Sequence, residues 1–144
     1  MKIVPFEPSH LGTITPQRSQ VVDLLCSKDA VAESTALANS GPAITGMHDG
    51  EVIFCAGSVK QWEGRHIIWS IMSHKAGKHM FGIVKSIKRL IPLYAGLGRM
   101  EVVVRADFPE GCRLIEKFFG FTFHHYEEKF LPGGADARIY VRYL

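Results

Sequence analysis

The sequence predicts an α/β (α+β) fold with about seven strands and about four helices. Residues 100–123 predict a buried strand, a turn, a short amphipathic helix and a Gly-Phe step into another strand. Residues 80–94 repeat apolar side chains about every 3.6 positions, which is typical of an amphipathic helix. Residues 43–72 alternate apolar runs with turn signals, which favours consecutive antiparallel strands. These segments indicate a single domain over residues 1–144.

Prolines and small residues delimit the first elements of the chain. Residues 2–6 predict a strand, and the prolines in and after it confine that strand to an edge or an end of a sheet. A Thr-Pro pair then offers a good N-cap and first turn, so a first helix is expected over 15–27. An Ala-rich second helix is expected from residue 29 to an Asn-Ser-Gly-Pro stop signal at 39–42.

The middle of the chain predicts a three-stranded meander and a long helix. An Asp-Gly pair at 49–50 separates apolar runs at 43–47 and 52–59, which is a strong signal of a tight hairpin. A third apolar strand is expected at 65–72. The helix over 80–94 presents Lys and Arg on its outer face, and its proline should bend or end the last turn.

The C-terminal third predicts a strand at 100–106, a short helix and two final strands. The short helix should end at Gly120, where a left-handed C-cap is favoured. An aromatic strand should run from 121 to about 130, and the last strand should cover 138–143. The order of elements is therefore strand, helix, helix, three strands, long helix, strand, short helix and two strands.

Composition limits the classes of function. At 144 residues, 47% of them hydrophobic, the chain can bury one core. No apolar run is long enough to span a bilayer and no export signal is visible, so a cytoplasmic protein is expected. Cys26, Cys55 and Cys112 are widely spaced and odd in number, which indicates reduced thiols. The net charge of +3 is mild, and the seven histidines show no metal-ligand spacing, so no metal is expected.

The order of elements resembles that of the GNAT superfamily, the acyl-CoA-dependent N-acyltransferases. The resemblance implies a mixed, mostly antiparallel sheet that splays open between its fourth and fifth strands, here 65–72 and 100–106. In the family this opening admits the pantetheine arm of the cofactor. The resemblance therefore implies an N-acetyltransferase that uses acetyl-CoA and in which an amine attacks the thioester directly. It does not identify the amine, because acceptor pockets in the family vary with the substrate.

The resemblance places the pyrophosphate of the cofactor on the loop before the long helix. The family pattern there is Arg or Gln, two residues, Gly, one residue, then Gly or Ala, because a pyrophosphate needs unobstructed backbone N–H groups at a helix N-terminus. Gly77 meets this requirement, whereas histidines replace the first and last residues of the pattern. Lysines in the loop could bind phosphate through their side chains, and the alternative is an ordinary solvated loop. The implied cofactor-binding residues are Ile71, Met72, Ser73, His74, Lys75, Gly77, Lys78 and His79.

Groups for proton transfer are few. The family often carries a Tyr on the short helix as general acid to the leaving thiolate, and counting back from the Gly-Phe pair places Glu116 at that position. His124 is a candidate base, and strand alternation would put it and His125 on opposite faces. The alternative for Glu116 and both histidines is a solvated surface position. Catalysis would then depend on positioning, with a backbone N–H of 71–73 polarising the carbonyl.

Two other functions remain open. One is an inactive GNAT-like scaffold that binds a partner protein; the chain also looks like acetyltransferase-like proteins of short-tailed bacteriophages, some of them packaged in the virion, which would place it in the host cytoplasm or the virion interior. A nucleic-acid module is least favoured, because its basic patch lacks interleaved aromatics. The aromatic final hairpin could form a homodimer surface or complete the core. The patch comprises Lys75, Lys78, Lys85, Lys88 and Arg89, and the hairpin aromatics are Phe130, Tyr140 and Tyr143.

Overall fold

The computed structural model describes residues 1–17, 30–94 and 96–144. Its strands are β1 (Lys2–Pro5), β2 (Ala43–His48), β3 (Glu51–Trp62), β4 (Arg65–Met72), β5 (Arg99–Arg105), β6 (Thr122–Glu127) and β7 (Ala137–Tyr143). They form one sheet in the order β1-β2-β3-β4-β5-β7-β6. The β4–β5 pair is parallel and the other neighbouring pairs are antiparallel. The predicted mixed, mostly antiparallel sheet of seven strands is confirmed.

The described ranges contain two helices of 10 and 11 residues and two shorter ones. They are α1 (Pro8–Thr13), α2 (Ala30–Asn39), α3 (Met80–Leu90) and α4 (Pro109–Arg113). A 3-10 turn precedes α3 at Ala76–His79, another follows it at Ile91–Tyr94, and a π-helical turn at Leu114–Phe118 continues α4. None of the described helices is both long and apolar enough to cross a bilayer.

Local sequence signals fix most of these boundaries. Asp49 and Gly50 have φ angles of 50° and 77°, so the predicted hairpin turn joins β2 to β3. Pro92 lies in the 3-10 turn that follows α3, where it ends the regular helix as predicted. Gly120 has a φ of 71°, which a residue without a Cβ adopts readily, and it separates the π-helical turn from β6.

The predicted helix over 15–27 is wrong at its start. Pro16 forms an isolated antiparallel bridge with Ser73, at the end of β4, so residues 15–17 are extended. The remainder of that prediction lies outside the described residues. A helix that the sequence did not predict, α1, occurs earlier, because Pro8 at its first position fixes a helical φ and the His10 ring accepts a hydrogen bond from the Glu7 N–H at 3.1 Å.

Two apolar clusters form the core and assign the helices to faces of the sheet. The cluster under α3 includes Ile83 and the β4 residue Met72. The second cluster lies on β5 and β7, and side chains of both α3 and the α4 turn pack against it. Helices α3 and α4 therefore cover the same face of the sheet. The buried members of the second cluster are Met100, Val102, Val104, Phe119, Phe121 and Tyr140.

The final hairpin differs from the sequence prediction in two ways. Its first strand, β6, ends at Glu127 rather than near 130, because Lys129 adopts a turn conformation with a φ of 48°. A bulge between Phe123 and His125 also breaks the strict alternation of faces that the sequence predicted. Tyr140 is fully buried, so it completes the core, whereas Phe130 and Tyr143 are exposed. A homodimer at this hairpin stays a prediction, and Tyr140 cannot take part in its surface because it is buried.

Two of the three cysteines lie in the described ranges, and neither forms a disulfide. Cys55 is buried on β3, and Cys112 is half-buried on α4. Burial raises the pKa of the Cys55 thiol to about 11, so this thiol stays protonated at neutral pH. Both residues are free thiols, as the sequence predicted for the cysteines.

Candidate functional site

The strands β4 and β5 part halfway along their length. Residues 65–68 pair with residues 99–102, and Ile68 opposite Val102 is the last pair of the ladder. Beyond it, β4 continues to Met72 and β5 continues to Arg105, and the described residues form no further pair between them. The predicted opening between the fourth and fifth strands is present.

The edge of β4 that faces this opening is short. The Ser73 N–H donates to the Ile53 carbonyl of β3 at 2.8 Å, so by strand alternation the main-chain groups of Ser70 and Met72 face the opening. Ser73 is therefore engaged in the sheet and is not the donor that the sequence suggested for the carbonyl. The Gln17 N–H donates to the Met72 carbonyl at 2.8 Å. Residues 15–17 thus take the place beside the end of β4 that β5 has left.

A groove of about 610 Å³ lies between α3 and the π-helical turn after α4. Its walls are mostly apolar, and Phe81 and Phe118 are exposed over 84% and 50% of their surface. Basic side chains line it as well, and the Lys88 ammonium lies 5.9 Å from the centre of the Phe118 ring. Such a groove suits a ligand with apolar or aromatic parts and negative charge. Its lining residues are Met80, Phe81, Val84, Lys85, Lys88, Arg89, Leu114 and Phe118.

The loop between β4 and α3 holds the residues predicted to bind a pyrophosphate. The Lys75 ammonium lies 2.8 and 3.0 Å from the two carboxylate oxygens of Glu51, and this contact lowers the pKa of Glu51. The His79 ring packs on the His48 ring at 4.6 Å. Gly77 is exposed and has open space where a Cβ would be, so the approach to its backbone is unobstructed. Among the loop side chains, Lys75 thus forms an ion pair with the Glu51 carboxylate.

The opposite end of the β4–β5 pair is closed by an ion triad. Arg65 binds both carboxylate oxygens of Glu101 at 2.8 Å, and the Arg99 Nε binds the same carboxylate at 2.7 Å. Hydrogen bonding to Arg65 and Arg99 lowers the pKa of Glu101 to about 2. Glu101 is the acidic residue on the strand next to β4, but its oxygens are occupied and its basicity is low, so it is a poor general base. Sequence reasoning missed this triad.

The structure does not bring the two predicted proton-transfer residues together. Glu116 is exposed on the π-helical turn and interacts with the hydroxyl of Tyr140, which also accepts a hydrogen bond from the Arg138 Nε at 3.0 Å. Burial raises the pKa of Tyr140. His124 lies on the edge strand β6, with its Nδ1 2.6 Å from the Nδ1 of His125. The strand β7 separates β6 from β5, so His124 lies away from the opening.

The described ranges contain no group of three His, Cys, Asp or Glu side chains that could hold a metal ion.

Solved structures share this architecture. Ard1 from Thermoplasma volcanium is 16% identical, with 99% of this chain and 97% of that chain covered and a TM-score of 0.78. A GNAT superfamily phosphinothricin acetyltransferase from Sinorhizobium meliloti, in complex with acetyl-CoA, is 20% identical, with 99% and 88% covered and a TM-score of 0.72. This chain has the GNAT fold. YncA from Salmonella typhimurium, solved with its cofactor acetyl-CoA, is 15% identical, with 99% and 93% covered and a TM-score of 0.72.

No protein-family model and no curated protein matches the sequence. At identities of 15 to 20%, the likeness to the solved structures establishes the fold alone. The activity, the cofactor and the acceptor are therefore argued from the opening, the groove and the loop of this chain.

Proposed function

We propose that the protein is an N-acetyltransferase that moves an acetyl group from acetyl-CoA to an amine by direct attack. The observation that carries this proposal is the meeting of three features on one side of the molecule. The strands β4 and β5 part after Ile68 and Val102, the loop at Gly77 leads into α3, and the groove runs between α3 and the π-helical turn after α4. A long ligand with amide, phosphate and aromatic parts fits such a succession of surfaces.

Acetyl-CoA has these parts in this order. Its pantetheine arm carries two amides, which suit the space between the parted strands β4 and β5. Its pyrophosphate suits the N-terminal end of α3 beside Gly77, where the helix dipole favours negative charge. Its adenine and 3′-phosphate suit the groove, where Phe118 offers a ring and Lys85 and Lys88 offer positive charge.

Catalysis by positioning is sufficient for this reaction. A thioester is activated toward amines, and holding both reactants in a near-attack geometry supplies a large part of the rate without a dedicated acid. Of the two groups that the sequence suggested for proton transfer, Glu116 is the closer to the groove, since it lies on the same turn as Leu114 and Phe118. His124 belongs to a different edge of the sheet.

Calorimetric titration with acetyl-CoA tests the proposal. We expect the wild-type protein to bind, and we expect Gly77→Glu to weaken binding about tenfold or more, because it places a carboxylate where the pyrophosphate lies. Gly12→Glu is the matched control: Gly12 is also exposed with open space beyond it, but it lies on α1, so affinity should be unchanged. No binding by the wild type would contradict the proposal.

The second candidate is a catalytically inactive scaffold that binds a partner protein. The observation that favours it is the exposure of large apolar side chains near the groove, with Leu93 and Phe81 exposed over 77% and 84% of their surface. A scaffold needs no cofactor, so the same titration separates the two functions. Salt-dependent binding to random duplex DNA that is lost in the Lys85→Gln and Lys88→Gln double variant would instead support the nucleic-acid module.

A further inference from the structure

A second cavity lies on the other face of the sheet. On β4, Met72 packs under α3, whereas Trp69 contacts Phe6, the residue that precedes α1, with ring centres 5.3 Å apart. Odd- and even-numbered residues of a strand point to opposite faces of the sheet, so Trp69 and Met72 lie on different faces. Helix α1 therefore covers the face that α3 and α4 leave open. The cavity has a volume of about 300 Å³ and lies between α1, the β2–β3 turn and the end of β4. Its lining comprises Ser9, His10, Thr13, Thr15, Met47, Gly50, Glu51, Val52, Ser73 and His74.

This cavity and the cofactor opening share one segment of chain. Ser73 and His74 line the cavity, and they directly follow Met72, whose main chain faces the parted strands. The shared segment is held in place by residues 15–17, since the His74 N–H donates to the Thr15 carbonyl at 2.9 Å. A ligand in the cavity would thus approach the end of β4 from the face opposite to the groove.

The hydrogen bonding of His74 fixes its tautomer. The His74 Nδ1 lies 3.3 Å from the Thr15 carbonyl oxygen, and a carbonyl oxygen only accepts, so Nδ1 must carry the proton. In the neutral ring the Nε2 then carries a lone pair. No hydrogen bond to this Nε2 occurs within the described part of the chain. The ring is therefore oriented and presents a basic nitrogen, which is what a general base requires.

The other polar groups of the cavity indicate a small polar ligand. The His10 Nδ1 accepts from the Glu7 N–H at 3.1 Å, so the neutral His10 carries its proton on Nε2 as a donor. Hydroxyls of serine and threonine line the walls, and the carboxylate of Glu51 at the rim is paired with the Lys75 ammonium. A volume of about 300 Å³ accommodates a small molecule or one side chain rather than a folded segment.

We propose that this cavity receives the acceptor, a small polar primary amine, and that His74 is the general base of the transfer. The inference rests on the proposed acetyltransferase function. The amine nitrogen attacks the thioester carbonyl carbon, so a C–N bond forms and the C–S bond breaks, and the sulfur leaves with the electron pair as the CoA thiolate. The His74 Nε2 takes the proton that the nitrogen loses. The imidazolium then returns this proton to solvent, and the thiolate takes one from solvent.

Three charged or titratable groups surround His74 and enter its pH dependence. Glu51 of β3 faces the loop, and its carboxylate binds the Lys75 ammonium. His10 of α1 lines the same cavity. Residues 15–17, which touch His74 directly, are uncharged. The pH profile of the rate therefore reports on His74 together with Glu51, Lys75 and His10.

The test uses the full chain, acetyl-CoA and a panel of small primary amines consisting of amino-acid amides, amino alcohols and polyamines. Release of CoA is followed from acid to alkaline pH for the wild type, His74→Asn and His48→Asn. The Asn amide can still donate to the Thr15 carbonyl, so His74→Asn removes the base and keeps the loop. We expect its turnover at saturating acetyl-CoA to fall about 100-fold with the pH-dependent limb lost. His48→Asn, a nearby exposed histidine outside the cavity, should match the wild type.

Each outcome decides one proposal. Turnover of His74→Asn within about threefold of the wild type, with an unchanged pH profile, overturns the role of His74. Acetyl-CoA binding by a wild type that acetylates no amine of the panel overturns the cavity as acceptor site and leaves the cofactor proposal standing. Absence of acetyl-CoA binding overturns the proposed function itself. Nitrogen-15 spectra of the His74 ring give a readout without turnover: a proton on Nδ1 supports the base, and a proton on Nε2 contradicts it.

Discussion

The two ends of the β4–β5 strand pair are built in opposite ways. At the N-terminal end, a parallel ladder joins the strands and the carboxylate of Glu101 binds Arg65 and Arg99 across them. At the C-terminal end the strands take different partners: β5 continues to pair with β7, and the end of β4 pairs with residues 15–17. The difference teaches that the opening exists without a ligand, because β7 holds β5 along its other edge and residues 15–17 hold the end of β4.

The largest expected effect comes from breaking the closed end. Glu101→Ala leaves two guanidinium groups facing each other without their carboxylate, so we expect a loss of about 3 kcal/mol in the free energy of unfolding, measured by urea denaturation. The matched control is Glu63→Ala, which removes an exposed ion pair with Lys60 and should cause no measurable loss. Equal effects of the two variants would show that the triad does not hold the strands together.

Low pH should reduce the stabilisation that Glu101 gives to the N-terminal, closed end of the β4–β5 pair. The pKa of Glu101 is lowered from 4.5 to about 2 in the folded protein, so its contribution is present above the unfolded value and is lost as pH falls through the folded value. We therefore expect the stability difference between the wild type and Glu101→Gln to be constant above about pH 5 and to shrink between about 4.5 and 2. Denaturation curves at several pH values measure this, and a difference independent of pH would contradict the assignment.

A smaller effect should follow from loosening the open end. Gln17→Pro removes the N–H that donates to the Met72 carbonyl, so we expect a loss of about 1 kcal/mol and faster amide exchange at His74, which donates to Thr15 in the same short pairing. The Ser73 amide is the internal control, because it donates to Ile53 of β3 and should keep its protection. Unchanged exchange at His74 would show that residues 15–17 do not hold the end of β4.

The smallest effect concerns the loop beside the opening. Lys75→Met removes the ammonium that lowers the pKa of Glu51, so this pKa should return toward its ordinary range in a carboxyl NMR titration. Global stability should not change measurably, because both side chains are exposed. A Glu51 pKa that is insensitive to Lys75→Met would mean that the pair does not form in solution.

The same contrast explains what the sequence could predict. The hairpin at Asp49 and Gly50, the amphipathic α3 and the turn at Gly120 follow from residues within a few positions of one another, and all three are confirmed. The elements depend on local conformation and on short-range periodicity, which a single sequence displays. Their order resembles that of the GNAT superfamily, and this resemblance implied the fold and the place of the opening.

Long-range pairings were not predictable in this way. Glu101 and Arg65 are 36 residues apart, and nothing near either residue indicates the other. The pairing of residues 15–17 with the end of β4 overrode a good helix-start signal, because Pro16 can lie beside a strand edge without needing to donate a hydrogen bond. The proton-transfer candidates failed to converge for a related reason: a bulge in β6 and the strand order, neither visible in the sequence, set the place of His124.

The central claim is that acetyl-CoA binds at the open end of the β4–β5 pair. Mapping of backbone amide shifts during an acetyl-CoA titration tests it most directly. The account predicts that shifts concentrate at residues 69–71, at Gly77 and along α3, with little change at Arg65, Arg99 and Glu101. Absence of shifts at saturating acetyl-CoA, or shifts confined to the closed end, would contradict it.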